Sequence, residues 1–323
     1  MLPLTRTALA VLALALTSQA TYTTRLLYQF PDYLQWIENM AVRPNGNILL
    51  TTFDRAHVYE LDPTSGRAPG LVAALPDADA AIGITEIAPD LFAVEAGLLN
   101  RTDYQLHGSG RIDTLDFSCP GCAALPRVRT RVAALPDAKL LNGMAALSRH
   151  VVLSADSITG TVYRTDTATG AVSVAFRDPR LAPRDNPDPF LRLLGVNGLR
   201  THGDYLYVTS TSAGFLGRYP VDARGTPRGA LEVLAGYAAP RSPDDFAVAR
   251  NGTVFGAVPL DSVARVAPGG SIADYVAFIV NHDGRLQRPT STVLSLDERT
   301  LYVSTGGRNK PGGKGGQIFA VSL

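Results

Sequence analysis

The hexapeptide AALPDA stands twice in this chain, at Ala73 to Ala78 and again at Ala133 to Ala138. Identity over six residues at two distant positions marks a structural period, and a chain with a period folds by stacking like units. The surrounding unit can be followed along the sequence. A polar dipeptide leads a short apolar strand. A turn, a strongly β-forming run, a second turn and an alternating strand ending in Asp then follow. In the first copy these are Glu38-Asn39, Met40 to Val42, Pro44-Asn45-Gly46, Asn47 to Phe53 and His57 to Asp62. Later copies open on Asn142-Gly143, Asn197-Gly198, Asp244-Asp245 and Thr290 to Thr292, and a weaker one starts near Gly83 to Glu86.

Six such units fill 21–323, about 50 residues each, built from three or four strands with Gly, Pro, Asn and Asp at the turns. No segment sustains a 3.6-residue apolar period, so little helix is expected. The pattern predicts an all-β, six-bladed β-propeller forming a single domain over 21–323, because radial repetition buries each sheet's faces against its neighbours. The last unit lacks an outer strand. Arg25 to Phe30 is apolar and β-forming and is expected to supply it, joining the chain's two ends and removing an open edge. A pair of two-sheet sandwiches is the competing arrangement, and it leaves the recurring polar dipeptide unexplained. With 46% hydrophobic and 18% charged residues, the chain can bury a large core, since ~25% charged is ordinary. Thirty Lys plus Arg against 29 Asp plus Glu, with no basic run, give no footprint for nucleic acid as a partner.

Residues 1–20 read as a signal peptide: Arg6, then the apolar run Ala8 to Leu16, then Ser18-Gln19-Ala20 before the expected cleavage point. Nine apolar residues are too few to span a bilayer core, which needs ~20 in a helix. The expected product is secreted or lumenal, with no membrane attachment after cleavage. In that compartment Cys119 and Cys122, as Cys-Pro-Gly-Cys, are expected to close a structural disulfide across a tight turn. A redox pair would need a helix N-terminus to lower the thiol pKa. Asn100-Arg101-Thr102 and Asn251-Gly252-Thr253 are sequons, so Asn100 and Asn251 are candidate glycosylation sites, although Asn251-Gly252 equally spells a hairpin turn.

In a propeller the first strand of each blade lines the central channel, so the leading dipeptides converge on one mouth. Glu38, Asn39, Glu86, Asn142, Asn197, Asp244, Asp245, Thr290, Ser291 and Thr292 are therefore expected to ring one cavity. Converging carboxylate and amide oxygens suit a hard cation such as Ca²⁺, or a polar organic ligand held by fixed donors and acceptors. The bland reading is that the dipeptides only make turns. Trp36, the single tryptophan, is expected either to wall the cavity or to pack in the core, and Phe53, Tyr104 and Phe215 fall where they could line an apolar pocket. There is no His-Glu-x-x-His and no Gly-x-Ser-x-Gly. The run Gly306 to Gly316 lacks the Lys spacing and following Ser or Thr of a phosphate loop and reads as a turn.

Leu141-Asn142-Gly143-Met144, Val196-Asn197-Gly198-Leu199 and Pro243-Asp244-Asp245-Phe246, following Ile37-Glu38-Asn39, resemble the blade-leading motifs of the gluconolactonase and regucalcin six-bladed propellers. That resemblance covers essentially the whole chain beyond the signal peptide. It implies a divalent cation that activates a lactone, held here by Glu38, Asn142, Asn197 and Asp244. Two departures bear on it: Asn39 and Asp245 stand where that family usually has Gly, and Asp245 would crowd the metal site and add charge. The chain is more similar still to a fungal secreted branch of these propellers, the hetero-Diels-Alderases of tropolone sesquiterpenoid pathways of the eupenifeldin and pycnidione type. These join a tropolone o-quinone methide to a humulene-type polyene without a cofactor. The resemblance implies that activity here, with small-molecule polyketide and terpenoid substrates as the partners. Glu38, Asn142, Asn197 and Asp244 are then the expected catalytic residues, as amide donors and as general acid or base. Trp36, Asn39, Phe53, Glu86, Asp245, Thr290, Ser291 and Thr292 are expected to bind substrate. The alternatives left open are a metal-dependent lactonase or esterase and a non-catalytic secreted binding propeller.

Overall fold

The structure, a computed structural model, describes residues 22–268, 277–278 and 286–323 except 309. The signal-peptide segment at 1–20 lies outside the described residues. Among the described residues 24 strands form six four-stranded antiparallel sheets, and the only helix is two 3-10 turns at Pro179–Leu181 and Leu191–Leu193. The chain is a six-bladed β-propeller. Its innermost strands are Ile37–Val42, Ala80–Ala88, Leu141–Ser148, Val196–His202, Phe246–Val248 and Pro289–Leu294. The N-terminal strand Thr24–Gln29 pairs antiparallel with the C-terminal strand Gln317–Ser322 and becomes the outer strand of the sixth sheet.

The strands ending in Asp have a local cause. Asp62 Oδ1 accepts the Thr64 amide at 2.8 Å, Asp166 Oδ1 the Ala168 amide at 2.9 Å, and Asp222 Oδ1 the Arg224 amide at 2.8 Å. Each carboxylate thus builds the turn that ends the third strand, the usual role of Asp in a turn. The loop after the corresponding strand in blade 2 carries the Cys119–Cys122 disulfide, with Cα atoms 5.2 Å apart.

The apolar core lies between blades. One buried cluster joins Ala80, Ile82 and Ile112 of blade 2 to Leu141, Met144 and Val152 of blade 3; another joins Ile37 and Met40 of blade 1 to Tyr302 and Ile318 of blade 6. Hydroxyls then tie neighbouring blades together close to the axis. Thr51 Oγ1 donates to the Ile82 carbonyl at 2.6 Å, Ser157 Oγ to Val196 at 2.7 Å, Thr209 Oγ1 to Asp244 at 2.7 Å, and Thr290 Oγ1 to Ile37 at 2.8 Å. The last of these closes the ring between the sixth blade and the first. Threonine suits the role because its branched Cβ favours the strand while its hydroxyl satisfies a buried carbonyl.

Candidate active site

A local irregularity recurs where five of the six blades begin; the fifth blade, opening at Phe246, pairs in regular register. The register between the first and second strands shifts at Ile37/Asn39, Ala81/Ile84, Leu141/Met144, Val196/Leu199 and Pro289/Ser291. These bulges enclose Glu38, Ile82-Gly83, Asn142-Gly143, Asn197-Gly198 and Thr290. An extra residue of this kind re-aims a side chain out of the sheet's alternation. The glycines are required by crowding at the axis. A Cβ on Gly143 would stand 2.3 Å from the Asn197 carbonyl oxygen, and one on Gly198 2.6 Å from Asp245 Oδ1.

The site so built is acidic and buried. Glu38 is 6% exposed, and its Oε2 accepts a hydrogen bond from Trp36 Nε1 at 2.7 Å. Burial pushes its carboxyl up to about 8; the Trp36 N–H opposes this, and the charge of Asp245 adds to it. Asp244 is half-buried, and its carboxyl is raised well above the usual range by desolvation, then by Glu38 and Asp245, while Asn197 lowers it. Burial disfavours the charged form of both carboxyls, and once one of the pair ionises its charge opposes ionisation of the other. Asn197 donates from Nδ2 to Thr211 Oγ1 at 2.9 Å, and its buried Oδ1 has no partner. Asn142 is also buried beside the channel.

The remaining predicted residues divide. Asp245 does not stand as a loose extra charge: Arg200 binds its Oδ2 at 2.6 Å and Ser291 donates to the same oxygen at 2.8 Å. Asn39 Oδ1 accepts the Met40 amide at 2.9 Å and lies 3.2 Å from the Ser291 hydroxyl, whose one proton goes to Asp245. Thr290 and Thr292 donate to the carbonyls of Ile37 and Phe255 and so tie blades together. Glu86 is not at the mouth; its Oε1 accepts the Asp90 amide at the far end of the blade 2 inner strand. The blade 2 carboxyl near the axis is Glu95, from the second strand, fully buried and packed beneath Gly83, where a Cβ would meet Glu95 Oε2 at 2.5 Å. Its carboxyl is raised well above its ordinary value, chiefly by desolvation. Asn100 and Asn251 are both exposed, and the side chain of each accepts the amide two residues on, from Thr102 at 2.8 Å and Thr253 at 2.9 Å.

Beside this ring, on the face where the inner strands begin, lies a cavity of about 460 Å³. Its walls are Leu34, Trp36, Phe53, Tyr104 and Phe190, and Asp54, Arg55, Arg101 and Arg288 supply its charge. Trp36 and Phe53 are stacked with ring centroids 6.2 Å apart, and Tyr104 and Phe190 meet edge to face at 4.8 Å. Phe215 packs instead in the core between blades 3 and 4. None of Glu38, Asn142, Asn197 and Asp244 lines the cavity. Trp36 connects the two regions, with its ring on the cavity and its N–H on Glu38. The indole is fixed from behind by the glycine-rich loop, since a Cβ on Gly306 would sit 2.7 Å from three of its ring atoms. Arg101, Phe190 and Arg288 carry no signal in the sequence. Arg101 lies in the loop between the second and third strands of blade 2, and Phe190 and Arg288 in connections between blades, where no periodicity reports on what a side chain faces.

No family model matches the chain. It is 30% identical over 256 residues to a protein of Sarocladium schorii with the provisional name hetero-Diels-Alderase asR5, covering 70% of this chain and 61% of that protein. The chain therefore spans less than two thirds of that relative's length. It is 26% identical over 310 residues to a Phoma protein with the same provisional name, covering 87% of this chain and 86% of that one. Among solved structures it is similar to a luciferin-regenerating enzyme, with a TM-score of 0.68 at 13% identity over 94% of this chain and 95% of that one. It is also similar to the calcium-binding protein regucalcin of Agrobacterium tumefaciens, with a TM-score of 0.60 at 19% identity over 93% and 95%. A gluconolactonase of Xanthomonas campestris gives a TM-score of 0.60 at 13% identity over 94% and 90%.

Proposed function

From a chain that shares its fold with the gluconolactonases and resembles the proteins named hetero-Diels-Alderase, we propose a cofactor-independent pericyclase of secondary metabolism. It couples a tropolone o-quinone methide to a humulene-type polyene in the Trp36 cavity. The observation that carries this reading is the cavity itself. A space of about 460 Å³ walled by four aromatic rings has the size and lining of a site for an apolar organic molecule. Holding two such partners together removes translational and rotational freedom, which supplies up to ~7 to 11 kcal/mol of barrier lowering in favourable cases. Aromatic walls also keep water from the electrophile.

The acid pair has a distinct part in this proposal. Glu38 fixes the indole through its hydrogen bond and so acts as a positioning residue for the cavity wall. On the channel side of Trp36 the Glu38–Asp244 pair holds a proton at neutral pH, and the half-buried Asp244 is the member able to deliver it there to a hydroxymethyl precursor losing water, before the quinone methide reacts in the cavity. The amides of Asn142 and Asn197 stand on the same channel. The protein is expected to act as a secreted or lumenal glycoprotein.

One observation favours a second reading, a metal-dependent lactonase. The unpartnered Asn197 Oδ1 together with the carboxyls of Glu38 and Asp244 is a donor set that fits a hard divalent cation, with Asn142 as a fourth member. Such an ion, when bound, polarises a lactone carbonyl. The two readings separate on turnover. Purified protein, with chelator present, is given a hydroxymethyl tropolone and a humulene-type alcohol, and the adducts are resolved on a chiral column. The pericyclase reading requires one stereoisomer formed faster than in buffer. Unaccelerated racemic product, with lactone hydrolysis restored by Ca²⁺, favours the lactonase.

A further inference from the structure

The charge around the cavity is uneven. Three guanidiniums, of Arg55, Arg101 and Arg288, face it against the single carboxylate of Asp54, a local charge of +2 in a chain whose formal charge is only +1. Two of the three are engaged elsewhere. Arg101 donates to the carbonyls of Phe53 and Asp79, and Arg55 lies 3.8 Å from Asp32 and 3.9 Å from Asp54. Arg288 is different. Its guanidinium lies over the Trp36 ring, 4.7 Å from the centroid, and it makes no ion pair among the described residues. Its backbone has φ of 62°, a left-handed conformation that a non-glycine residue adopts only under strain. That backbone is held by the Gly306 amide on the Arg288 carbonyl at 2.8 Å and the Gly307 amide on Gln287 at 3.0 Å. A second polar group is also left over. The Asp54 side chain is 5% exposed and its buried Oδ1 has no hydrogen-bond donor.

We propose that the cavity takes its ring substrate in the ionised form, the oxyanion bound by Arg288 above the face of Trp36 and a neighbouring hydroxyl donating to Asp54. The inference rests on the Trp36 cavity being the substrate site. It goes beyond that reading in naming the charge state recognised and the residues that select it. A guanidinium stacked on an indole keeps its N–H edge free for an in-plane acceptor while its face is covered. An unpartnered buried carboxylate oxygen demands a donor. A planar ring with an ionised oxygen beside a hydroxyl or hydroxymethyl group, whose O–H donates, meets both requirements at once. A neutral ether of the same shape leaves the cavity's cations uncompensated.

The test uses two ring probes of matched shape, tropolone and its neutral 2-methoxy ether, titrated into the full chain at one pH at which tropolone is ionised. Trp36 is the only tryptophan, so its emission reports occupancy of the cavity wall. Tropolone is expected to bind at least about tenfold more tightly than the ether, because hydrogen bonds to a charged partner are the stronger class. Arg288→Gly is the informative variant, because glycine accepts the left-handed backbone and the fold is retained. It should abolish the preference while leaving affinity for the ether unchanged, and Arg288→Lys should restore part of it. Equal binding of both probes, or a preference that survives Arg288→Gly, overturns the proposal. If the preference follows Arg288 while the protein makes no cycloadduct, the anion site stands and the pericyclase reading falls. If adduct forms at the wild-type rate in Arg288→Gly, the anion site falls and the pericyclase reading stands.

Discussion

Replacing Glu38 by Gln removes a titrating group and keeps an oxygen to accept the Trp36 N–H, so the cavity wall stays in place while its acid is lost. Glu38 moves from 4.5 when exposed to about 8 in the folded chain, so the folded state holds this proton more tightly than the unfolded one. Stability from this group is therefore fully present below about 4.5 and is lost as pH rises through about 8. At ~1.4 kcal/mol per pH unit the loss approaches about 5 kcal/mol, and any water reaching the carboxylate reduces it. Asp244 and Glu95 carry raised carboxyls too, so the wild type alone does not isolate Glu38. The difference between the wild type and Glu38→Gln does. Urea unfolding of both proteins across pH 5 to 9 should show the variant gaining several kcal/mol over the wild type between the acid and alkaline ends. A difference that stays flat across that range would refute the argument that Glu38 is held neutral.

Three further predictions follow from other contacts. Gly306→Ala places a methyl against the Trp36 ring; the indole emission should shift, and turnover should fall by up to ~100-fold in a protein that still folds, since misplacement by ~1 Å is that costly. Thr290→Val strands the buried Ile37 carbonyl at the seam between the last blade and the first, and calorimetry should show a loss of ~1–3 kcal/mol. Arg43 is 2% exposed, pairs with Glu60 at 2.6 Å and Asp90 at 2.8 Å, and donates to the Ala123 carbonyl in the disulfide-bearing loop. Arg43→Met leaves two carboxylates unpaired and should cost ~3–5 kcal/mol, with unchanged turnover measured well below its melting temperature.

The sequence carries the fold well because each blade repeats the same physical requirements: a polar or small residue at the axial bulge, β-branched strands and Asp-built turns. Glu38, Asn142, Asn197 and Asp244 stand out in the sequence because they occupy equivalent places in that repeat, and the fold brings them to the same channel. Glu86 was misplaced because blade 2 departs from it. There the axial position is Gly83 and the carboxyl is supplied by Glu95 on the next strand, filling the space a side chain at 83 would need. Thr290 and Thr292 look like site residues at the level of pattern, yet their hydroxyls go to carbonyls of adjoining strands. The cavity was only half legible. Trp36 and Phe53 flank strands whose positions the repeat sets, whereas Phe190 and Arg288 lie in connections of unequal length. The run Gly306 to Gly316 reads as a turn, and its described residues form the loop between the last two strands, with a turn at 311–312. Its glycines also let backbone press against Trp36 and Ile37, a packing role that only the neighbours reveal.

The central claim is that an organic substrate reacts in the aromatic cavity beside the polar channel, with Trp36 as the wall between them. A crystal structure of the protein with its cycloadduct bound tests this most directly. The adduct's ring against the Trp36 indole, with its oxygen on Arg288, is the predicted result. An adduct seated among Asn142, Asn197 and Asp244, with the aromatic cavity filled only by water, would contradict it.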